Sequence, residues 1–165
     1  MPYNGIRAWS GLWPTFILQH VICIRIVFGI EMKIQISLDD QISDVEVLEI
    51  FRANQRPAAE NPEELLEALR DSHSLVTARM SGMLVGLGNA ISDGHMVVYY
   101  PYLVVHPQFQ GRGIGRKIME TLQNEYSNFH RQVLIAEEPS VEFYRAVGFE
   151  PSEKFQAMWL ERRDH

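Results

Sequence analysis

The residues best suited to do chemistry lie in one stretch, Val104-Val105-His106-Pro107-Gln108-Phe109-Gln110-Gly111-Arg112-Gly113-Ile114-Gly115-Arg116-Lys117. Closely spaced glycines let a backbone approach a ligand, and a helix opening behind them turns unpaired N–H groups and the positive end of its dipole outward. Arg112, Arg116 and Lys117 add positive charge at that end, where a helix by itself prefers acids. The combination is suited to an anion such as a phosphate. A P-loop requires glycine, lysine and serine or threonine in succession, but Gly115 is followed by Arg116 and Lys117. A dinucleotide fingerprint G-x-G-x-x-G counted from Gly111 requires glycine where Arg116 stands. The pattern that is met is glutamine or arginine, two residues, glycine, one residue, glycine: Gln110, Gly113 and Gly115. Taken alone, such a turn is as readily a tight connection between a strand and an amphipathic helix.

A second cluster, Phe143-Tyr144-Arg145-Ala146-Val147-Gly148-Phe149, follows downstream, and a hydrophobic run ending in His106-Pro107 precedes the turn. Together these segments resemble the GNAT superfamily of acyl-CoA-dependent acetyltransferases. The resemblance covers roughly Met32 to Leu160 and is sharpest over Leu103–Lys117 and Phe143–Phe149. It implies an acyl-CoA N-acyltransferase fold, a mixed and mostly antiparallel twisted sheet splayed at the central strand and flanked by helices. It also implies acetyl-CoA as co-substrate, with no metal. In that reading the backbone of Leu103, Val104 and Val105 pairs with the pantetheine arm like a neighbouring strand, and Gln110, Gly111, Arg112, Gly113, Ile114, Gly115 and Arg116 hold the pyrophosphate. The implied reaction is direct attack by a primary amine of a small molecule or peptide on the thioester.

Such an attack needs a neutral nucleophile, a polarised carbonyl and a proton for the departing thiolate. Tyr144 matches the tyrosine that family members commonly use as general acid; by residue type alone it would pack beside Phe143 and Phe149. Backbone N–H groups near Leu103 and Val104, left unpaired where the sheet splays, would polarise the carbonyl. No base is assigned among Glu137, Glu138, Tyr100, Tyr102 and His106. The chain departs from the family pattern at Glu137, where many members carry a cofactor-contacting asparagine seven residues before the tyrosine.

These residues need elements to position them. Ile34 and Ile36 alternate with polar residues as in a half-buried strand, and Asp39, Asp40 and Ser43 open a helix that fades near Asn54. Asn61-Pro62 with Glu63 and Glu64 starts a second helix with apolar Leu65, Leu66 and Leu69. Strands are expected over Ser74–Met80 and Met83–Ile91, although Gly86 and Gly88 weaken the latter. The run MVVYYPYLVVH is too long for one ordinary strand, and Pro101 is where a bulge would splay it from its neighbour. A helix is expected from Gly111 to Phe129, a strand over Gln132–Glu137, a short helix over Ser140–Val147 closed by Gly148, and a last strand over Phe155–Leu160. Interleaved strands and helices give an α/β or α+β class.

The chain has 165 residues, 46% of them hydrophobic, with a net charge of −6. That suits one domain with a sizeable core and argues against a nucleic-acid partner, which needs a basic surface. Cys23 is the only cysteine, so neither an intrachain disulfide nor a cysteine-based metal site is available, and a reducing, cytoplasmic setting fits. A homodimer stays open. Trp13–Ile30 is apolar, but Gln19, His20 and Arg25 interrupt it, which disfavours a membrane helix. Residues 1–31 therefore read as an extension, dispensable to a domain over 32–165. Two rival functions remain, a non-catalytic CoA-binding module and a membrane-associated interaction protein using Trp13–Ile30.

Overall fold

The computed structural model describes residues 33–38, 41–158 and 160. The apolar stretch Trp13–Ile30 and the extension 1–31 lie outside the described residues. Ile34–Leu38 forms β1, Asp44–Ala53 α1 and Pro62–Arg70 α2. Ser74–Met80 (β2) and Met83–Ser92 (β3) form a hairpin, followed by Val97–Tyr99 (β4), Leu103–Val105 (β5), Ile114–Glu125 (α3), Arg131–Val133 (β6) and Val141–Ala146 (α4). Among the described residues the sheet has six strands in the order β1-β2-β3-β4-β6, with β5 also pairing β3. Every pairing is antiparallel except β4 with β6.

One face of the sheet is covered by α1 and α2, whose Val47, Ile50, Phe51, Leu65, Leu66 and Leu69 pack on Leu75, Leu84, Leu87 and Val104. A register shift between Ala78 and Arg79 makes a bulge in β3, which lets Leu84 and Leu87 share a face despite their odd spacing. The other face takes α3 through buried Ile114, Ile118, Met119 and Leu122. Gly86 and Gly88 are where α3 comes close: a methyl group on Gly88 would stand 2.7 Å from Ile118 Cγ2. The glycines that weakened β3 as a strand by propensity are thus what lets a helix lie on it.

Pro101 interrupts the long run as its chemistry requires. β3 pairs β4 with Ile91 opposite Tyr99 and β5 with Gly88 opposite Leu103, a register one residue out of step, so one residue is extra. The N–H of Tyr100 donates to Val133 O at 2.9 Å. Pro101 has no N–H. The next donor, Tyr102 N–H, has swung to the β3 side and donates to the Asn89 side chain at 3.1 Å. Pairing with β6 therefore ends at Val133, and β5 continues on β3 alone, leaving a wedge between β5 and residues 134–137.

Two expected strands differ from the structure. The strand over Gln132–Glu137 is confined to Arg131–Val133, because its neighbour leaves at Pro101. The strand over Phe155–Leu160 does not form over the described residues 155–158. Its apolar residues do not alternate cleanly, since Ala157 and Met158 are adjacent, so no single face is specified for a sheet. Phe155 and Met158 are exposed, and Arg131 stacks on the Phe155 ring at 5.0 Å.

Candidate active site

The bonds of Asn89 N–H to Tyr102 O and of His106 N–H to Val85 O fix which way β5 faces. With Leu87 opposite Val104, the peptide groups of residues 102, 104 and 106 turn toward β3, and by alternation those of Leu103 and Val105 turn into the wedge. The three residues expected to offer backbone therefore divide. Leu103 and Val105 face the gap, whereas Val104 is committed to the ladder with Leu87 and its side chain is buried. Carbonyl polarisation by a Val104 N–H is corrected on this ground.

From Val105 the chain enters a short 3-10 turn over Pro107–Phe109, where the His106 ring nitrogen accepts from Gln108 N–H. Gly111 and Gly113 have φ of +72° and +75°, which side chains rarely tolerate. A methyl group on either would meet nothing within 4 Å, so the turn is bare on its outer side. Gly113 caps α3, and Lys117 N–H is bonded to Gly113 O. The first N–H groups of α3, at Ile114, Gly115 and Arg116, have no acceptor within the helix. Gly115 serves packing as well, lying against the Phe143 ring. Gln110 points back instead of out: its Nε2 donates to Asn54 Oδ1 at 3.1 Å and to Val105 O at 3.0 Å. The Arg116 guanidinium donates to Ala146 O, and that of Arg112 covers the Phe109 ring. The groups left facing outward on the turn are thus backbone N–H groups, and these three side chains brace it.

Tyr144 stands on α4, whose end is a Schellman motif: Phe149 N–H bonds to Tyr144 O and Gly148 N–H to Arg145 O, with Gly148 at φ +96°. Its ring meets those of Phe143 and Phe149. Burial raises the Tyr144 hydroxyl above the usual tyrosine value; Arg56 opposes the shift, and Glu137 and Tyr99 add to it. Tyr144 and Tyr99 also line a cavity of about 810 Å³ along the β6 edge, walled by residues 131–136 and 149–152. None of the residues from Leu103 to Arg116 line that cavity.

The base candidates separate. Tyr100 is buried, with its hydroxyl donating to Gln132 and its pKa pushed well up by burial. Tyr102 packs edge-on against Phe51. Glu137 pairs with Arg56 at 2.7 Å. Three contributors escaped the sequence reading. Asn54 donates to the Val105 carbonyl at 3.1 Å, Asn89 fills the bulge at Tyr102, and Arg56 faces Glu137. None belongs to a local motif, because each finds its partner on a distant element.

A family model described as an acetyltransferase (GNAT) domain matches residues 39–158. An uncharacterized N-acetyltransferase ycf52 of Gracilaria tenuistipitata var. liui is 34% identical over 68 residues, covering 40% of this chain and 37% of the relative. The chain spans about two fifths of the length of the curated relatives it matches. A GNAT-family acetyltransferase from Streptococcus pneumoniae TIGR4 superposes with a TM-score of 0.69 at 27% identity, covering 79% of this chain and 100% of that one. An aminoglycoside N-acetyltransferase in complex with CoA shares the fold with a TM-score of 0.62 at 16% identity, over 80% of this chain and 96% of that one. Among the described residues no helix is long and apolar enough to cross a membrane.

Proposed function

This chain belongs to the GNAT acetyltransferase family, and on that premise we propose that it transfers the acetyl group of acetyl-CoA to a primary amine of a small molecule or peptide. The observation that carries the reading is the continuity of one path. Backbone groups of Leu103 and Val105 face an open wedge, the chain runs directly into a bare turn of outward N–H groups, and Tyr144 stands on α4, whose end Arg116 of that turn ties down.

Acetyl-CoA supplies an activated acyl thioester and a long amide-bearing arm ending in phosphates. The residues suit each part. Leu103 offers a strand-like donor and acceptor to the amides and Val105 a donor, its carbonyl being already bonded to Asn54 and Gln110. The N–H groups of Gly111 to Arg116, at the positive end of α3, suit the pyrophosphate. Gly111 and Gly113 keep side chains out of its way. As the neutral amine forms its C–N bond and the C–S bond breaks, Tyr144 gives its proton to the thiolate, and the surplus proton on nitrogen passes to water. Leu103 N–H is the donor turned toward the wedge for the developing charge on the carbonyl oxygen.

The test is calorimetry of acetyl-CoA with the full chain and with Gly113→Trp, whose side chain would fill the bare face of the turn. Micromolar binding to the first and none to a folded Gly113→Trp supports the reading. Absence of binding to the folded wild-type chain sinks it.

A further inference from the structure

Arg56 and Glu137 form an ion pair with Nη1 and Oε1 2.7 Å apart. It joins the loop after α1 to the chain leaving β6. Arg56 is held there by unusual backbone. Helix α1 ends in a Schellman motif, with Gln55 N–H bonded to Arg52 O and Arg56 N–H to Phe51 O. The left-handed position that this motif normally gives to glycine is filled by Gln55 at φ +53°. The side chains remain 36% and 71% exposed, so the charges are accessible, and both act on the Tyr144 hydroxyl.

We propose that Arg56 and Glu137 select a zwitterionic acceptor, an amino-acid-like molecule whose carboxylate is taken by Arg56 and whose amine is placed by Glu137. The inference rests on the acetyl-transfer reading. The attacking nitrogen and the departing thiolate share one carbonyl carbon, so the acceptor amine must approach the element that carries the group protonating the thiolate. Glu137 opens the 3-10 turn Glu138–Ser140 that leads directly into α4, on which Tyr144 stands, and Arg56 is tied to it. A simple monoamine would have to displace Arg56 from Glu137 and leave the guanidinium without a partner. A molecule carrying both charges replaces one ion pair with two, and its ammonium gives one proton to water at this exposed position before the neutral amine attacks. The guanidinium fork matches a carboxylate in two parallel bonds, which fixes orientation as well as affinity. Exposed pairs of this kind are weak in water, so the preference for a zwitterion comes mainly from the new carboxylate contact with Arg56 and only slightly from the pair that is parted.

The experiment measures kcat/KM of the full chain for a panel of L-amino acids as free acids, each against its own carboxamide, at saturating acetyl-CoA. The best free acid is expected to exceed its carboxamide by about tenfold or more, the worth of a charge-assisted contact. Arg56→Met should bring that ratio within about twofold, and Arg56→Lys should restore part of it. Glu137→Gln, independent of the α1 loop, should raise KM for the free acid more than it lowers kcat. In calorimetry with CoA present, the free acid should bind about tenfold or more tightly than its carboxamide. A wild-type ratio near one, a panel with no free acid as substrate, or an unchanged ratio in folded Arg56→Met overturns the inference. If acetyl-CoA binds while any of these occurs, the acceptor assignment alone fails; if acetyl-CoA does not bind, the acetyl-transfer reading fails with it.

Discussion

At the scale of single residues, Tyr144 decides between a packing role and a chemical one. Its ring contacts with Phe143 and Phe149 would survive in phenylalanine, so packing alone predicts that Tyr144→Phe changes nothing. A general acid typically contributes about 10²–10⁴-fold. We expect kcat of Tyr144→Phe to fall by about 10²-fold or more, with KM for acetyl-CoA within about twofold of wild type. Burial, the largest influence, pushes the Tyr144 pKa above its ordinary value of 10.0. A raised tyrosine pKa keeps the hydroxyl protonated to higher pH, so the acid form is complete at neutrality and is lost only as pH rises beyond that ordinary value. The kcat profile should therefore show no descending limb below pH 10 that disappears in Tyr144→Phe. Such a limb would give the proton to another group.

At the scale of elements, the splayed strand rests on two residues of unequal visibility. Pro101 was legible because a residue without an N–H inside a β-branched run must break a ladder. Asn89 was not, because its task depends on Tyr102 arriving one residue out of register. Asn89 is 1% exposed; its Oδ1 accepts from Tyr102 N–H and its Nδ2 donates to Ser72. Asn89→Leu should leave that N–H buried without a partner and cost about 1–3 kcal/mol in urea unfolding. Because β5 then loses its seat beside the wedge, KM for acetyl-CoA should rise as well. Unchanged stability together with unchanged KM would show that water takes over the bond. Gly88 offers a parallel test on the other face. Gly88→Ala puts a methyl 2.7 Å from Ile118, and overpacking of this kind costs about 1–3 kcal/mol, the reverse of the gain expected from alanine in an unhindered strand. A stabilised Gly88→Ala would mean that α3 can lift from the sheet at no cost.

At the scale of the whole molecule, the order of elements and the glycine turn were readable because each depends on neighbours in sequence: alternation, caps, and a proline or glycine at a fixed offset. The assignment of Val104 and the last strand were not, since facing and pairing are settled by what the rest of the sheet provides. The same reasoning bears on residues 1–31. The residues from Ile34 onward form a compact unit of their own, and the matched family domain, residues 39–158, lies wholly within it. The core joining α1, α2 and α3 to the sheet is drawn from Val47 to Tyr126, so those contacts remain when the first residues are removed. A chain starting at Met32 should therefore unfold cooperatively at the same temperature as the full chain, within about 1 °C, under the shift of about 2–4 °C that a lost kcal/mol would bring at this size. It should also bind acetyl-CoA with the same affinity within about twofold. A lower melting temperature would make the extension part of the folding unit. Equal melting with weakened binding would instead place it over the cofactor wedge, and a shorter chain that is insoluble would show that the extension covers apolar surface.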